Sequence, residues 1–124
     1  MKKRVLTAAE IFICKDLHRV WVPTPEWTPA DTNGDECGVY VTTLDARQKE
    51  KWETDLQNMR NEGTGMASAL ALSCVTETGD RVFTTQDIEK IADHSGLVVG
   101  RLWQVFRALN IVTDTDVSEL VKNS

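Results

Sequence analysis

Residues 66–75 read Met-Ala-Ser-Ala-Leu-Ala-Leu-Ser-Cys-Val, and almost every side chain in this stretch is apolar or small. A surface helix has one apolar and one polar face, whereas a helix that is apolar all round is buried. Turn-forming residues bound the stretch on both sides, at 61–65 and 77–80. We therefore predict a buried helix at the centre of the core, whose last residues could instead form a strand.

The segment before this helix has a helical period from Leu44 to about Asn61. Trp52, Leu56 and Met59 recur at i, i+4 and i+7, while the opposite face is charged. This pattern predicts an amphipathic helix with its apolar face turned toward the core.

Three further helices are predicted on the C-terminal side. The sequence Thr-Thr-Gln-Asp at 84–87 is typical of a capping box and begins a helix to about Asp93. Ser95 caps another helix to about Asn110, and Thr-Asp-Thr-Asp at 113–116 begins a last short one. The helix after Ser95 has one apolar stripe, formed by Leu102, Val105, Phe106 and Leu109.

The N-terminal end begins with another capping box, in which Thr7 is the N-cap and Glu10 reaches back. It predicts a short helix over about 8–15 with Ile11 and Phe12 facing inward. A helix of this length is unstable alone, so we expect it to pack on another element.

Two strands are predicted at 18–22 and 38–42, where polar and apolar residues alternate or β-branched and aromatic residues dominate. Pro23, Pro25 and Pro29 forbid helix between them and hold the chain extended. The strands could pair as a hairpin, which would need a helix or another strand beside it.

These patterns predict an α+β fold that is mainly α, with a small N-terminal antiparallel β element packed on about five helices. We expect one domain over residues 1–124. Within it, 1–43 would form a short helix plus an extended or β arm, and 44–124 the helical part. A chain of 124 residues is long enough to bury a core of its own.

The net charge of −5 is unevenly distributed, since residues 1–20 carry five basic and two acidic side chains. An acidic protein has no general attraction for nucleic-acid phosphates, so nucleic acid is not an expected partner. No apolar run approaches the ~20 residues of a membrane helix. The basic start lacks a convincing cleavage site downstream, and Glu10 interrupts the apolar stretch, so we predict an intracellular protein.

Candidate reactive residues are few. Cys14, Cys37 and Cys74 are odd in number and widely spaced, which favours buried free thiols over disulfides or a zinc site. His18 and His94 lie in no metal-ligand spacing. The chain has no glycine-rich phosphate loop and no Gly-x-Ser-x-Gly motif. We therefore predict no catalytic, cofactor-binding or metal-binding residues.

Four tryptophans are more informative. Trp52 and Trp103 fall on apolar helical stripes, which favours core packing. Trp21 and Trp27 lie in or beside the proline-bearing segment, where core packing and an interface are equally compatible with the pattern. Extended segments can add to a sheet, and aromatic side chains often anchor interfaces.

Residues 87–105 also have the small and apolar residues of a helix-turn-helix, with Ala92 and Gly96 four positions apart. A packed helical hairpin has the same pattern, and the surroundings are acidic. A small helix-turn-helix DNA-binding regulator is therefore the alternative function, in which the reading helix would offer Arg101, Gln104 and Arg107.

An ordered set of short motifs runs along nearly the whole chain. They are Leu6-Thr7 with Ile11, Asp16-Leu17, Val22-Pro23 with Glu26-Trp27, Val39-Tyr-Val41, Glu50-Lys-Trp-Glu53, Ala69-Leu-Ala-Leu-Ser-Cys-Val75, Gly79, Val82-Phe83-Thr84, Asp87-Ile88, Leu102, Leu109-Asn110, and Asp116-Val117 with Leu120. In their order and spacing, these motifs resemble the tail assembly chaperones of long-tailed bacteriophages. The chain departs from that pattern by an extra Thr24-Pro25 and a longer loop over 31–38.

The resemblance implies a non-enzymatic protein without cofactors that coats the tape measure protein in the host cytoplasm and keeps it soluble. It implies recruitment of the major tail protein, through a longer form made by ribosomal frameshifting, and absence from the mature virion. It also implies self-association into oligomers.

We expect the helical surfaces to bind the tape measure protein and the extended arm around Trp21 and Trp27 to mediate self-association. The residues predicted to bind partners are Trp21, Val22, Pro23, Glu26, Trp27, Leu70, Leu72, Leu102, Trp103 and Phe106.

Overall fold

The secondary structure is mainly helical after residue 45, apart from one short strand, and mixed before it. The structure, a computed structural model, describes residues 2–58 and 63–111. In chain order its elements are α1 (Ala8–Phe12), β1 (Arg19–Pro23), a 3₁₀ turn (Pro25–Trp27), β2 (Gly38–Thr42), α2 (Ala46–Asn58), α3 (Gly65–Ser73), β3 (Cys74–Val75), a second 3₁₀ turn (Thr85–Asp87), α4 (Ile88–Ala92) and α5 (Gly96–Asn110). The predicted α+β, mainly α class is confirmed.

Helix α3 is the buried centre of the fold, as its apolar sequence predicts. It contacts α2, α4, α5 and β2, and six of its nine residues are buried. Its polar atoms are partly satisfied inside the core: Ser68 Oγ donates to the Gly65 carbonyl at 2.8 Å and accepts from Trp52 Nε1 at 3.2 Å. The end of the apolar stretch, left open between helix and strand, is the strand β3.

The three strands form an antiparallel sheet in the order β1-β2-β3. The predicted hairpin is confirmed, and its register pairs Arg19 with Thr42 and Pro23 with Gly38. The third strand follows α3 without a connecting loop, so the sheet is attached directly to the central helix. Val22 and Val41 belong to the same core cluster as the helices.

Aromatic rings fill the space between α2 and α5. Trp52 lies edge-on to Phe106 with ring centroids 5.1 Å apart, and Trp103 stacks on Phe106 at 5.4 Å. Trp52 is buried and Trp103 half-buried. The prediction that these two tryptophans pack in the core is confirmed.

Asn110, a buried polar residue at the end of α5, joins the helical part to the sheet. Its Oδ1 accepts from the Leu44 amide at 2.7 Å, and its Nδ2 donates to the carbonyls of Phe106 and Thr42 at 3.1 and 3.3 Å. The side chain thus forms hydrogen bonds with backbone groups between the end of β2 and the start of α2. These groups would cost free energy if they were buried without partners.

Two predictions for the N-terminal third are corrected. Helix α1 has its predicted capping box but ends at Phe12, and none of its residues is buried. Ile11 and Phe12 therefore do not face inward, because the sheet and the other helices close the core without α1. Pro25 begins a 3₁₀ turn instead of an extended segment, which suits proline because the first helical position needs no amide donor.

The remaining boundaries differ by a few residues. Helix α2 begins at Ala46, after a capping box in which Asp45 and Gln48 exchange hydrogen bonds at 2.7 and 3.0 Å. The capping boxes at 84–87 and the Ser95 cap are present as predicted. Met59 and the predicted helix after 113 lie outside the described residues.

Two glycine substitutions should have opposite effects on stability. A Cβ at Gly38 would overlap the Val22 carbonyl oxygen and lie 2.9 Å from Pro23 Cα, whereas a Cβ at Gly100, inside α5, meets nothing within 4 Å. We expect Gly38→Ala to lower the free energy of unfolding by about 1–3 kcal/mol or more. Gly100→Ala should raise it by about 0.5–1 kcal/mol. Urea unfolding of both variants measures the difference, and a tolerated Gly38→Ala would contradict this strand register.

Candidate functional site

An apolar pocket of about 300 Å³ opens between the turn Pro25–Trp27 and helix α4. It is lined by Trp27, Phe83, Asp87, Lys90, Ile91 and His94. Its volume lies at the lower end of the range for small-molecule sites. It is large enough for one or two apolar side chains.

Two polar residues at the pocket, Asp87 and His94, make local contacts. Asp87 Oδ2 accepts from the Thr84 amide at 2.8 Å, which completes the capping box. His94 lies at the end of α4, as predicted, and its Nδ1 donates to the Lys90 carbonyl at 2.8 Å. The His94 ring packs edge-on against Trp27 with centroids 5.6 Å apart. These contacts hold Asp87 and His94 in place at the pocket.

The wall that carries Trp27 is fixed by an ion pair between distant parts of the chain. Arg101 on α5 donates to both oxygens of Glu26 at 2.8 and 2.6 Å, and its Nη1 also donates to the Pro23 carbonyl at 3.2 Å. A bidentate arginine–carboxylate pair has a defined geometry that a single contact lacks. The turn is also tied to the loop before β2, since the buried Thr24 donates its amide to the Cys37 carbonyl at 2.8 Å.

This ion pair controls the ionisation of Glu26. The side-chain hydrogen bonds from Arg101 lower the pKa of Glu26 from its ordinary 4.5 to about 2, with smaller contributions from a backbone amide and from the arginine charge. The carboxylate raises the pKa of Arg101 in return. Glu26 is thus charged, and the turn held, at all but strongly acidic pH.

The predicted partner-binding residues divide into three sets. Leu70, Leu102 and Phe106 have no exposed surface, and Val22 is 4% exposed. These four belong to the core, so their prediction as partner-binding residues is corrected. The folded chain does not present Leu70, Leu102 and Phe106 because α3 and α5 pack against each other, and Val22 of β1 belongs to the same core cluster.

The second set, Pro23, Glu26 and Trp27, lines or borders the pocket. The third set, Leu72, Trp103 and Trp21, lies elsewhere. Pro23 and Glu26 are exposed and Trp27 is half-buried. The segment is folded back on α5, so the prediction of an extended arm around Trp27 is also corrected. Leu72 and Trp103 are half-buried on the helical side.

Trp21 remains on the surface of β1, which is an edge strand of the sheet. Its ring packs edge-on to Tyr40 at 5.2 Å, and its Nε1 donates to Glu36 Oε1 at 2.7 Å. The side chain is 39% exposed. Trp21 is therefore partly packed on the sheet and partly open to solvent, and its role at an interface stays a prediction.

Sequence reasoning missed that Phe83 and His94 line a pocket. A local signal exists for Phe83: it precedes the N-cap Thr84, and Ile88 occupies the fourth helical position, which is the arrangement of a hydrophobic staple. The Glu26–Arg101 pair has no such signal, because the two residues are 75 positions apart.

The three cysteines are free thiols in different environments. Cys74 is buried as predicted, and desolvation raises the pKa of its thiol to about 12. Cys14 is exposed and Cys37 half-buried, so the prediction of burial is wrong for these two. Within residues 2–58 and 63–111, no group of three or more His, Cys, Asp or Glu side chains could hold a metal ion.

Helices α4 and α5 are joined by a three-residue turn at 93–95, the connection that a helix-turn-helix needs. The predicted reading helix is α5. Its first cation, Arg101, is engaged by Glu26, and Leu97 in its first turn is 72% exposed. This surface offers DNA few unpaired cations.

No protein-family model, curated protein or solved structure matches this chain. None of the helices in the described parts of the chain is long and apolar enough to cross a membrane.

Glu26→Gln should remove a pH-dependent part of the stability. Because the folded pKa of Glu26 is lowered, its contribution is present above about pH 4.5 and is lost as the pH falls toward 2. The difference in free energy of unfolding between wild type and Glu26→Gln should therefore be constant above pH 5 and shrink below it. Glu53→Gln, which breaks an exposed pair with Lys49, is the control and should have a small effect throughout. A pH-independent difference for Glu26→Gln would contradict this account of the ion pair.

Proposed function

We propose that this chain is a binding protein, not an enzyme, and that it acts as a tail assembly chaperone of a long-tailed bacteriophage. It would coat the tape measure protein in the host cytoplasm and recruit the major tail protein through a frameshift-extended form. It would self-associate, and it would leave before the virion is complete.

The observation that carries the proposal is the set of large apolar side chains that stay exposed on an acidic protein. Phe12, Ile13 and Leu97 are 82, 81 and 72% exposed, while the net charge is −5. Exposed apolar surface is typical of sites that bind other proteins, and net charge keeps such a protein soluble. A chaperone for a long helical protein needs both properties.

Two further observations support a binding role. The ordered motifs that resemble the tail assembly chaperones extend from Leu6 to Leu120, so that they cover nearly the whole chain. In addition, two of the three titratable groups at the pocket, Asp87 and His94, are used in local hydrogen bonds.

Leu97 is the best candidate contact for the tape measure protein. It is strongly exposed near the start of α5, on the helical part that we expect to meet that partner. A helical partner would lay its apolar face on such a surface. The alternative of DNA binding has less support, since the Glu26 carboxylate neutralises Arg101 on the same helix.

Co-expression with the tape measure protein encoded by the same phage tests the proposal. We expect a soluble, stoichiometric complex, measured by pull-down and light scattering. Leu97→Glu should weaken this complex by about tenfold or more, as expected for an interface anchor. A carboxylate near the start of a helix favours the helix, so this variant should remain folded.

Val82→Glu is the matched control, because it also replaces an exposed apolar side chain with glutamate but lies outside α5. It should leave tape-measure binding unchanged. Absence of a complex, together with salt-sensitive binding of the chain to duplex DNA, would overturn the proposal in favour of the regulator.

A further inference from the structure

The N-terminal segment, residues 2–17, is apolar but lies outside the core. Helix α1 buries none of its residues, and the described core cluster begins at Val22. A five-residue helix is too short to be stable without tertiary contacts. Its exposed large apolar side chains, and those next to it, are Val5, Leu6, Ile11, Phe12, Ile13 and Leu17.

Phe12 and Ile13 are the two side chains of this segment that are placed to act as anchors. Leu6 and Ile11 occupy the two positions of a hydrophobic staple on either side of the Thr7 cap, so their local role is within α1 itself. Phe12 and Ile13 follow at the end of the helix and are the more exposed. They present adjacent aromatic and aliphatic groups to whatever the segment binds.

The apolar pocket beside α4 has the size and lining for such a pair. Trp27, Phe83 and Ile91 supply its apolar surface, and its volume of about 300 Å³ suits one or two side chains. Aromatic rings favour edge-to-face contacts with another aromatic ring. None of the residues that line the pocket comes from the N-terminal segment of the same chain.

The charges of the segment and of the rest of the chain are opposite in sign. Residues 2–17 carry four basic and two acidic side chains, whereas the rest of the chain carries ten basic and seventeen acidic ones. Asp87 and Lys90 line the pocket, and the exposed Glu89 and Asp93 lie beside them in sequence. A basic apolar segment and an apolar pocket on an acidic body therefore occur on the same chain.

We propose that the N-terminal segment of one copy docks into the pocket of a second copy, with Phe12 and Ile13 inserted between Trp27, Phe83 and Ile91. The lysines of the segment lie near the exposed Glu89 and Asp93 of the other copy. The exchange is reciprocal in a closed dimer and continues from copy to copy in an open assembly. The inference rests on the proposed function only for its expectation of self-association, and it assigns that role to this segment.

Sedimentation of the purified chain tests the docking without any other protein. Wild type should self-associate, while Phe12→Glu and Trp27→Ala should each weaken self-association by about tenfold or more. A mixture of these two variants should again form a two-chain complex, because one intact segment and one intact pocket remain. Leu97→Glu, the variant aimed at the tape measure protein, should associate like wild type.

A cross-link identifies the contact even if Trp27→Ala fails to fold. Cys14 is exposed two positions after Phe12, and Lys90 lies on the exposed rim of the pocket. Lys90→Cys should form a disulfide between two chains under mild oxidation. Wild type and the Lys90→Cys, Cys14→Ser double variant should not form it.

Three results would overturn the docking proposal: a wild-type chain that stays monomeric, a variant mixture that stays monomeric, or a Cys14 disulfide that forms within one chain. Each is separate from a failure of the proposed function. A monomeric chain that still solubilises the tape measure protein would refute the docking and the expected self-association, but not binding of the tape measure protein. A self-associating chain that does not bind the tape measure protein would refute the chaperone function alone.

Discussion

The fold depends on burying α3, a helix without a polar face. Such a helix needs neighbours on every side, and α2, α4, α5 and β2 provide them. Small residues allow these neighbours to approach closely: a Cβ on Gly65, at the start of α3, would lie only 3.0 Å from Leu56 Cδ1. Because β3 continues directly from Ser73, burial of the helix also positions the sheet.

Polar contacts connect the layers around this helix at a few points. Asn110 joins the end of α5 to Thr42 and Leu44, and Arg81 donates to the Ala71 carbonyl at 2.8 and 3.2 Å. Hydrogen bonds contribute little net stability each, but losing one partner leaves a buried group unsatisfied. Such contacts therefore select one arrangement of the layers more than they drive the burial.

The sequence predicted those parts of the fold that depend on local signals. Capping boxes marked α1 and the start of α4, and the apolar stretch at 66–75 marked the buried helix. The orientation of α1 was not predictable in this way, because an inward face depends on whether the rest of the chain leaves space for it. The pocket was missed for a similar reason: its wall is held by Glu26 and Arg101, which only the tertiary fold brings together.

The residues that form the core are separate from the N-terminal segment that docks in the proposed assembly. The described core begins at Val22, so docking or releasing residues 2–17 would break no core contact. An interface built from such a segment gains its free energy from apolar burial and loses some to the ordering of the segment. Its strength can therefore change without changing the stability of the body. The proposed coat, which would assemble and later leave, would need this independence. The buried faces of helices α2–α5 lack it because they already hold the core together.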